Sequence, residues 1–190
     1  GNQNVAVGPS AMIANISGGY NVAVGALSLD ANTTASYNTA VGYGTLTTNT
    51  TGTSNVAMGR NALLLNTVGY SNVAVGVSSL GANVGGIKNT ALGASALLLN
   101  TSGNTNVAVG YDVLKANTEG TNNVAMGYNS LAVNTTGDSN VAIGALALDA
   151  NTTASDNTAV GYSALGANTD GFNNTAVGRD AGGAVTTGDN

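Results

Sequence analysis

The stretch NTAVGYSALGANTDGFN, Asn157 to Asn173, is followed at once by NTAVG from Asn174. The phrase starts again seventeen residues after it began, and the same step runs through the whole chain. The motif Asn-[Val/Thr]-Ala-[Val/Met/Leu/Ile]-Gly begins at Asn4, Asn21, Asn38, Asn55, Asn72, Asn89, Asn106, Asn123, Asn140, Asn157 and Asn174. There are eleven copies, with no insertion or deletion between them. With the motif Asn as position 1, position 3 is always Ala and position 5 always Gly. Position 9 is Leu in nine copies, position 12 is Asn in ten, and position 15 is Gly in nine. A fixed short period marks stacked repeats, each too small to bury a core alone. Residues 1–190 therefore read as a single array. Its last copy decays only mildly, at Gly182, Gly183 and Val185. Solenoid ends normally carry atypical capping repeats, so the array reads as an excerpt of a longer fibre.

Composition narrows the function classes. Charged residues make up 7% of the chain and the net charge is −5, against about 25% charged residues in ordinary domains. Apolar residues reach 43%, so this is not the composition of a disordered chain. Arg60, Lys88, Lys115 and Arg179 are the only basic residues. They do not form the basic face that nucleic-acid binding requires. No apolar run approaches the roughly 20 residues of a membrane span, so neither nucleic acid nor membrane insertion is expected. Without Cys or His, no disulfide, thiolate metal site, cofactor site or catalytic residue is expected, and the chain reads as a non-enzyme. The acids, Asp30, Asp112, Asp138, Asp149, Asp156, Asp170, Asp180 and Asp189 among them, do not follow the Gly-Gly-x-Gly-x-Asp pattern of calcium-binding β-rolls.

The motif itself reads as a short strand, because Val and Ile suit a pleated surface and Gly follows where the chain can turn. Position 4 is always apolar, from Val7 to Met58, Leu92 and Ile143, and is expected to point into the core. Position 3 then faces the opposite way. It is invariant as Ala6, Ala23, Ala40, Ala57, Ala74, Ala91, Ala108, Ala125, Ala142, Ala159 and Ala176. Such constant smallness implies close packing by a second surface, expected to be another chain. Positions 8 to 12, such as Ala62-Leu63-Leu64-Leu65-Asn66, are compatible with helix or strand. Stacked strands lie about 4.7–4.9 Å apart and a helix is about 10–12 Å wide. Eleven of each cannot stack in step without strong curvature, so the reading is all-β: a straight parallel β-solenoid whose second segment is extended or a brief 3₁₀ turn. Gly at position 15 is expected to be the left-handed turn residue, and the Asn columns are expected to pass amide bonds from coil to coil.

Two segments, NTAVGYSALGANTDG and NVAMGYNSLAVNTTG, resemble the repeats of phage and phage-like tail fibres. They are similar, more distantly, to the head repeats of trimeric autotransporter adhesins, whose coils are shorter. The resemblance covers the whole chain. It implies a homotrimeric, extracellular fibre segment, on a virion or a bacterial surface, that spaces or presents a receptor-binding or adhesive tip. A host glycan or receptor would then be bound through other domains.

Several side chains are candidates for contact or modification. Tyr43, Tyr111, Tyr128 and Tyr162 share position 6 and could stack on sugars or simply cover the coil edge. Asn15, Asn32, Asn49, Asn100, Asn134 and Asn151, all at position 12, match the Asn-x-Ser/Thr glycosylation pattern, although Asn-Thr-Thr-Gly is also ordinary turn chemistry. A threonine rank at position 13 runs from Thr33 to Thr186, a regular array that could order water. The alternative to a structural shaft is therefore a binding module whose repetitive face contacts glycans or ice.

Overall fold

The computed structural model describes residues 1–188, so Asp189 of the acidic set lies outside the described residues. The chain winds into a parallel β-solenoid with one three-residue strand per coil, from β1 (Val5–Val7) to β11 (Thr175–Val177). The eleven strands form one sheet in strict sequence order. Every step keeps the 17-residue register, so that Ala pairs with Ala throughout, as in Ala91↔Ala108. Eleven strands spaced about 4.8 Å apart make a rod about 50 Å long.

The strand supplies only part of the axial bonding. Position 2 donates to the next coil, as from Val107 N to Asn123 O at 2.8 Å, and position 5 to the previous one, as from Gly110 N to Leu92 O at 2.8 Å. Outside the strand, Leu97 N reaches Val113 O and Leu99 N reaches Lys115 O, both at 3.0 Å. The polar backbone is thus satisfied by the neighbouring coil all round the section. This is why a coil with so few apolar side chains folds only as part of a stack.

Positions 8 to 12 are neither extended nor 3₁₀, contrary to the sequence reading. Positions 6 to 11 are a run of tight turns. One turn closes from position 8 N to position 5 O, as from Ala96 to Gly93 at 3.4 Å, and another from position 12 N to position 9 O, as from Asn100 to Leu97 at 3.2 Å. The first has a left-handed residue at position 7, which accounts for Ser95, Asp112 and Asn129 there, residues that tolerate this region. Pro9 occupies the preceding corner of the same turn in the first coil, where a fixed φ is favoured. Position 9 is also left-handed, with Leu97 at φ 53° and Leu114 at φ 49°. That conformation costs a Leu about 1–2 kcal/mol. Complete burial of the side chain returns about 1.5–3 kcal/mol, so packing holds the strained turn.

The two faces of the strand are reversed relative to expectation. Ala at position 3 points inward, fully buried from Ala23 to Ala159, against the Leu column from Leu29 to Leu165. Position 4 points outward, with Met58 43% and Met126 41% exposed. The side chains alternate, and the buried motif Asn at position 1 commits positions 1 and 3 to the inside. A section of only 17 residues has room opposite Leu for a methyl group and little more. The invariant Ala therefore reports packing within one chain, and its column is not an intermolecular surface. At the first coil Ala6 is still exposed.

Gly at position 15 is not left-handed either. The positive-φ residues lie at positions 5, 7, 9 and 17. Position 15 is small because the coils nearly touch there: a Cβ on Gly86 would lie 2.5 Å from Gly103 O and 2.4 Å from Asn83 Oδ1. In five coils the N–H groups of positions 13 to 15 all converge on one carbonyl, as Thr67, Val68 and Gly69 do on Val84 O at 3.1, 3.2 and 3.3 Å. Among the described residues these bonds are missing at 33–35 and 152–154, the two coils in which Ala35 and Ala154 replace the Gly.

Candidate functional site

The interior is polar on one side. Position 12 forms an amide ladder in which each Nδ2 donates to Oδ1 of the preceding coil, for example Asn83 to Asn66 at 2.7 Å and Asn100 to Asn83 at 2.9 Å. The same Nδ2 also donates to the position-15 carbonyl of its own coil, as from Asn100 to Gly103 O at 3.0 Å. Position 1 forms a second ladder from backbone N to Oδ1, as from Asn106 N to Asn89 Oδ1 at 3.0 Å. Its Nδ2 shares the same carbonyl, as from Asn89 to Gly103 O at 2.8 Å. Both lone pairs of that oxygen are thereby used. Buried polar groups are tolerated only when bonded in this way.

The position-12 ladder ends at Asn168, whose buried Oδ1 has no partner. The next coil carries Val185 where the others have Asn. Val185→Asn is therefore expected to raise stability by about 1 kcal/mol, because the new amide reaches Asn168 Oδ1. Thermal unfolding of the variant beside the wild type measures this.

The burial decides the fate of the glycosylation candidates. Asn32, Asn49, Asn100, Asn134 and Asn151 are fully buried, and each Nδ2 donates two interior hydrogen bonds. The Asn15 amide, in the first coil, is also engaged, to Gly18 O at 3.0 Å. A glycan on these nitrogens has no room in the folded coil, so these residues form the spine and are not an outward stripe.

The outward strand face is different. Positions 2 and 4 carry Val, Thr, Met, Leu or Ile in all eleven coils and no charge. Val75, Leu92 and Ile143 stand about two-fifths exposed beside Met58 and Met126. The charges lie at other positions of the coil, as with Arg60, Lys115, Glu119 and Asp156. The result is a charge-free, largely apolar strip about 50 Å long and about 10 Å wide, three extended residues across, half-buried at position 2 of the inner coils and exposed or half-buried at position 4.

The threonine rank of position 13 lies elsewhere on the coil. Its hydroxyls are engaged along the axis, as from Thr101 Oγ1 to Thr118 O at 3.0 Å and from Thr118 Oγ1 to Thr135 O at 3.1 Å. They act as struts between coils.

Tyr43, Tyr111, Tyr128 and Tyr162 are all about half exposed at the edge of the strand face. Tyr111 and Tyr128 lie parallel within 7°, with centroids 5.9 Å apart. Arg179 Cζ sits 5.3 Å over the Tyr162 ring. The structure also pairs Tyr20 with Tyr37, at 5.1 Å and 5°. This pair was missed in the sequence because Tyr at position 17 recurs only twice, although the adjacent coils 17 residues apart were a signal for it. Beside the Tyr111–Tyr128 pair, Lys115 Nζ meets Asp112 Oδ2 at 2.9 Å. That hydrogen bond, with the attraction of the Asp112 charge, raises the Lys115 pKa. Burial raises the Asp149 carboxyl. Among the described residues no acidic group of three or more could hold a metal ion.

No known protein family, curated protein or solved structure matches the chain.

Proposed function

We propose that the chain is a shaft segment of a surface or virion fibre, assembled as a homotrimer, that spaces or presents a receptor-binding or adhesive tip. The observation that carries this reading is the charge-free outward strand face. A single chain already closes its own core, so the exposed Val, Met, Leu and Ile column is surplus to folding. Apolar surface of this extent on a soluble rod marks an interaction site. The strip is too long and narrow for a globular partner and suits another rod of the same period. Closed symmetry covers it without open-ended polymerisation, and a threefold axis parallel to the rod agrees with the tail-fibre and adhesin resemblance. The surface proposed for assembly is thus positions 2 and 4, and the alanine column serves the core. An extracellular location follows from the same reading.

Sedimentation or scattering mass tests it. The wild type is expected at three times 18.4 kDa, about 55 kDa. Met58→Lys with Met126→Lys is expected to give a folded 18.4 kDa monomer, since both side chains are already exposed in the single chain. A wild type that stays monomeric at high concentration overturns the proposal.

A further inference from the structure

The chain has seven tyrosines and no Cys, Trp or His. Four of the seven stand in pairs one coil apart. Tyr20 and Tyr37 share position 17, with ring centroids 5.1 Å apart and planes within 5°. Tyr111 and Tyr128 share position 6, at 5.9 Å and 7°. The backbone holds both pairs in register: Tyr37 N donates to Gly19 O and Asn129 N to Tyr111 O, both at 3.1 Å. All four rings are more than half exposed, so each is open to a reagent and free to tilt. The other three tyrosines have no tyrosine at the same position of a neighbouring coil. Tyr43 stands between Ala26 and Arg60, Tyr162 between Ala145 and Arg179, and Tyr70 between Thr53 and Ile87.

Two phenols held side by side can undergo oxidative coupling. The thiols and indoles that would quench a phenoxyl radical are absent from this chain. A radical formed on one ring of a pair therefore has its partner on the next rung as the nearest group to react with. Holding two reactants together in this way turns a bimolecular step into an effectively unimolecular one, which favours a link within the chain over a link between chains in dilute solution.

We infer that the Tyr20–Tyr37 and Tyr111–Tyr128 pairs are oxidative modification sites, each forming a dityrosine bond that ties one coil covalently to the next. The oxidant is a peroxide acting through a one-electron catalyst. Each ring gives up one electron and its phenolic proton, and a carbon–carbon bond forms between the two ring carbons ortho to the oxygens. The hydrogens on those carbons then leave as protons, and a proton returns to each oxygen. Each link costs the chain two hydrogen atoms, and one peroxide is reduced to two waters. Neighbouring coils otherwise hold together only through their shared interface, and a cross-link of this kind also constrains the unfolded chain. The bond lies within one chain, so it goes beyond the shaft reading and does not depend on it.

The experiment treats the full chain in dilute solution with hydrogen peroxide and a haem peroxidase. Dityrosine fluorescence is expected to appear while the denatured protein keeps the mass of a single chain, less two hydrogen atoms per link. Trypsin, applied after unfolding, cuts at Lys115 between the members of one pair. Peptides 89–115 and 116–179 are therefore expected to stay joined, and peptide 1–60 to lose two hydrogen atoms. Sulfoxides formed at exposed Met58 and Met126 add oxygen and are told apart by mass. Tyr37→Phe with Tyr128→Phe keeps both stacked rings and removes one phenol from each pair. It is expected to lower the fluorescence at least tenfold with the melting temperature of the untreated protein unchanged, whereas Tyr43→Phe with Tyr162→Phe is expected to leave the fluorescence as it was. The treated wild type is expected to melt higher than the untreated. Absence of dityrosine, fluorescence that survives the Tyr37→Phe, Tyr128→Phe double variant, links that use Tyr43, Tyr70 or Tyr162 as readily as the pairs, or products of doubled chain mass overturn the inference. The oligomer mass in native solution is independent of it: a monomer that forms these links sinks only the assembly proposal, and a trimer that forms none sinks only the cross-link.

Discussion

Gly93→Ala is expected to cut the array in two. Gly93 ends its strand at φ +134°, and a Cβ built there falls 2.1 Å from Gly110 O and 2.7 Å from Gly110 C. Those atoms belong to the backbone of the next coil, so no side-chain rotation relieves the clash. The conformation itself costs a residue with a Cβ about 1–3 kcal/mol. Coils 6 and 7 must then separate locally, weakening the axial bonds around that junction. The total is expected to exceed about 4 kcal/mol, in the range reserved for a specific structural break. A repeat array need not unfold as one unit after such a break. Scanning calorimetry is therefore expected to show two transitions where the wild type shows one, the first well below it. Gly103→Ala, at position 15, is the control. Ala35 and Ala154 show that this site tolerates a methyl group, so its effect is expected to be less than half as large.

Asn89→Leu is expected to be the next most damaging change, although it exchanges one side chain for another of similar size in a buried site. Asn89 accepts from Asn106 N at 3.0 Å and from Asn106 Nδ2 at 3.2 Å. It donates to Gly103 O at 2.8 Å. Leucine can do neither, and Asn106 N is left buried without a partner. An orphaned buried group costs about 1–3 kcal/mol. With the lost amide bonds the expected destabilisation is about 3 kcal/mol or more, a fall in Tm of about 6–12 °C for a chain of this length. A change of under 1 kcal/mol would show that the ladder contributes little beyond packing.

The architecture was largely legible in the sequence, because a 17-residue period without insertions leaves few ways to stack. The parallel order and the straight rise follow from strand spacing. The orientation of the strand was misread for a definite reason. Apolarity as the index of burial turns Val and Met at position 4 inward and Ala outward. In the fold a fully bonded Asn is as buried as Leu, and it is the Asn of position 1 that sets which side is inside. The glycines were misassigned for a related reason. Conformational freedom is needed at Gly93 and its equivalents, whereas Gly86 is small because another coil approaches. Leu97 at φ 53° could not be anticipated, since only the burial of its side chain holds it there. The tyrosine candidates were legible by position, but the Tyr111–Tyr128 stack and the Arg179–Tyr162 contact depend on side-chain orientation, which the sequence does not contain.

The central claim is that position 3 lies inside a chain and position 4 outside it, and that the outside face is then covered by further copies. Because the chain has no cysteine, a thiol placed at either position reports without background. The measurement is the rate of thiol labelling of Ala108→Cys and of Val109→Cys as a function of protein concentration. The account predicts that the thiol at 108 stays protected at every concentration. The thiol at 109 is expected to label rapidly in dilute solution and at least tenfold more slowly once the chains assemble. A thiol at 109 that labels equally fast at all concentrations, or one at 108 that labels faster than it, would contradict the account.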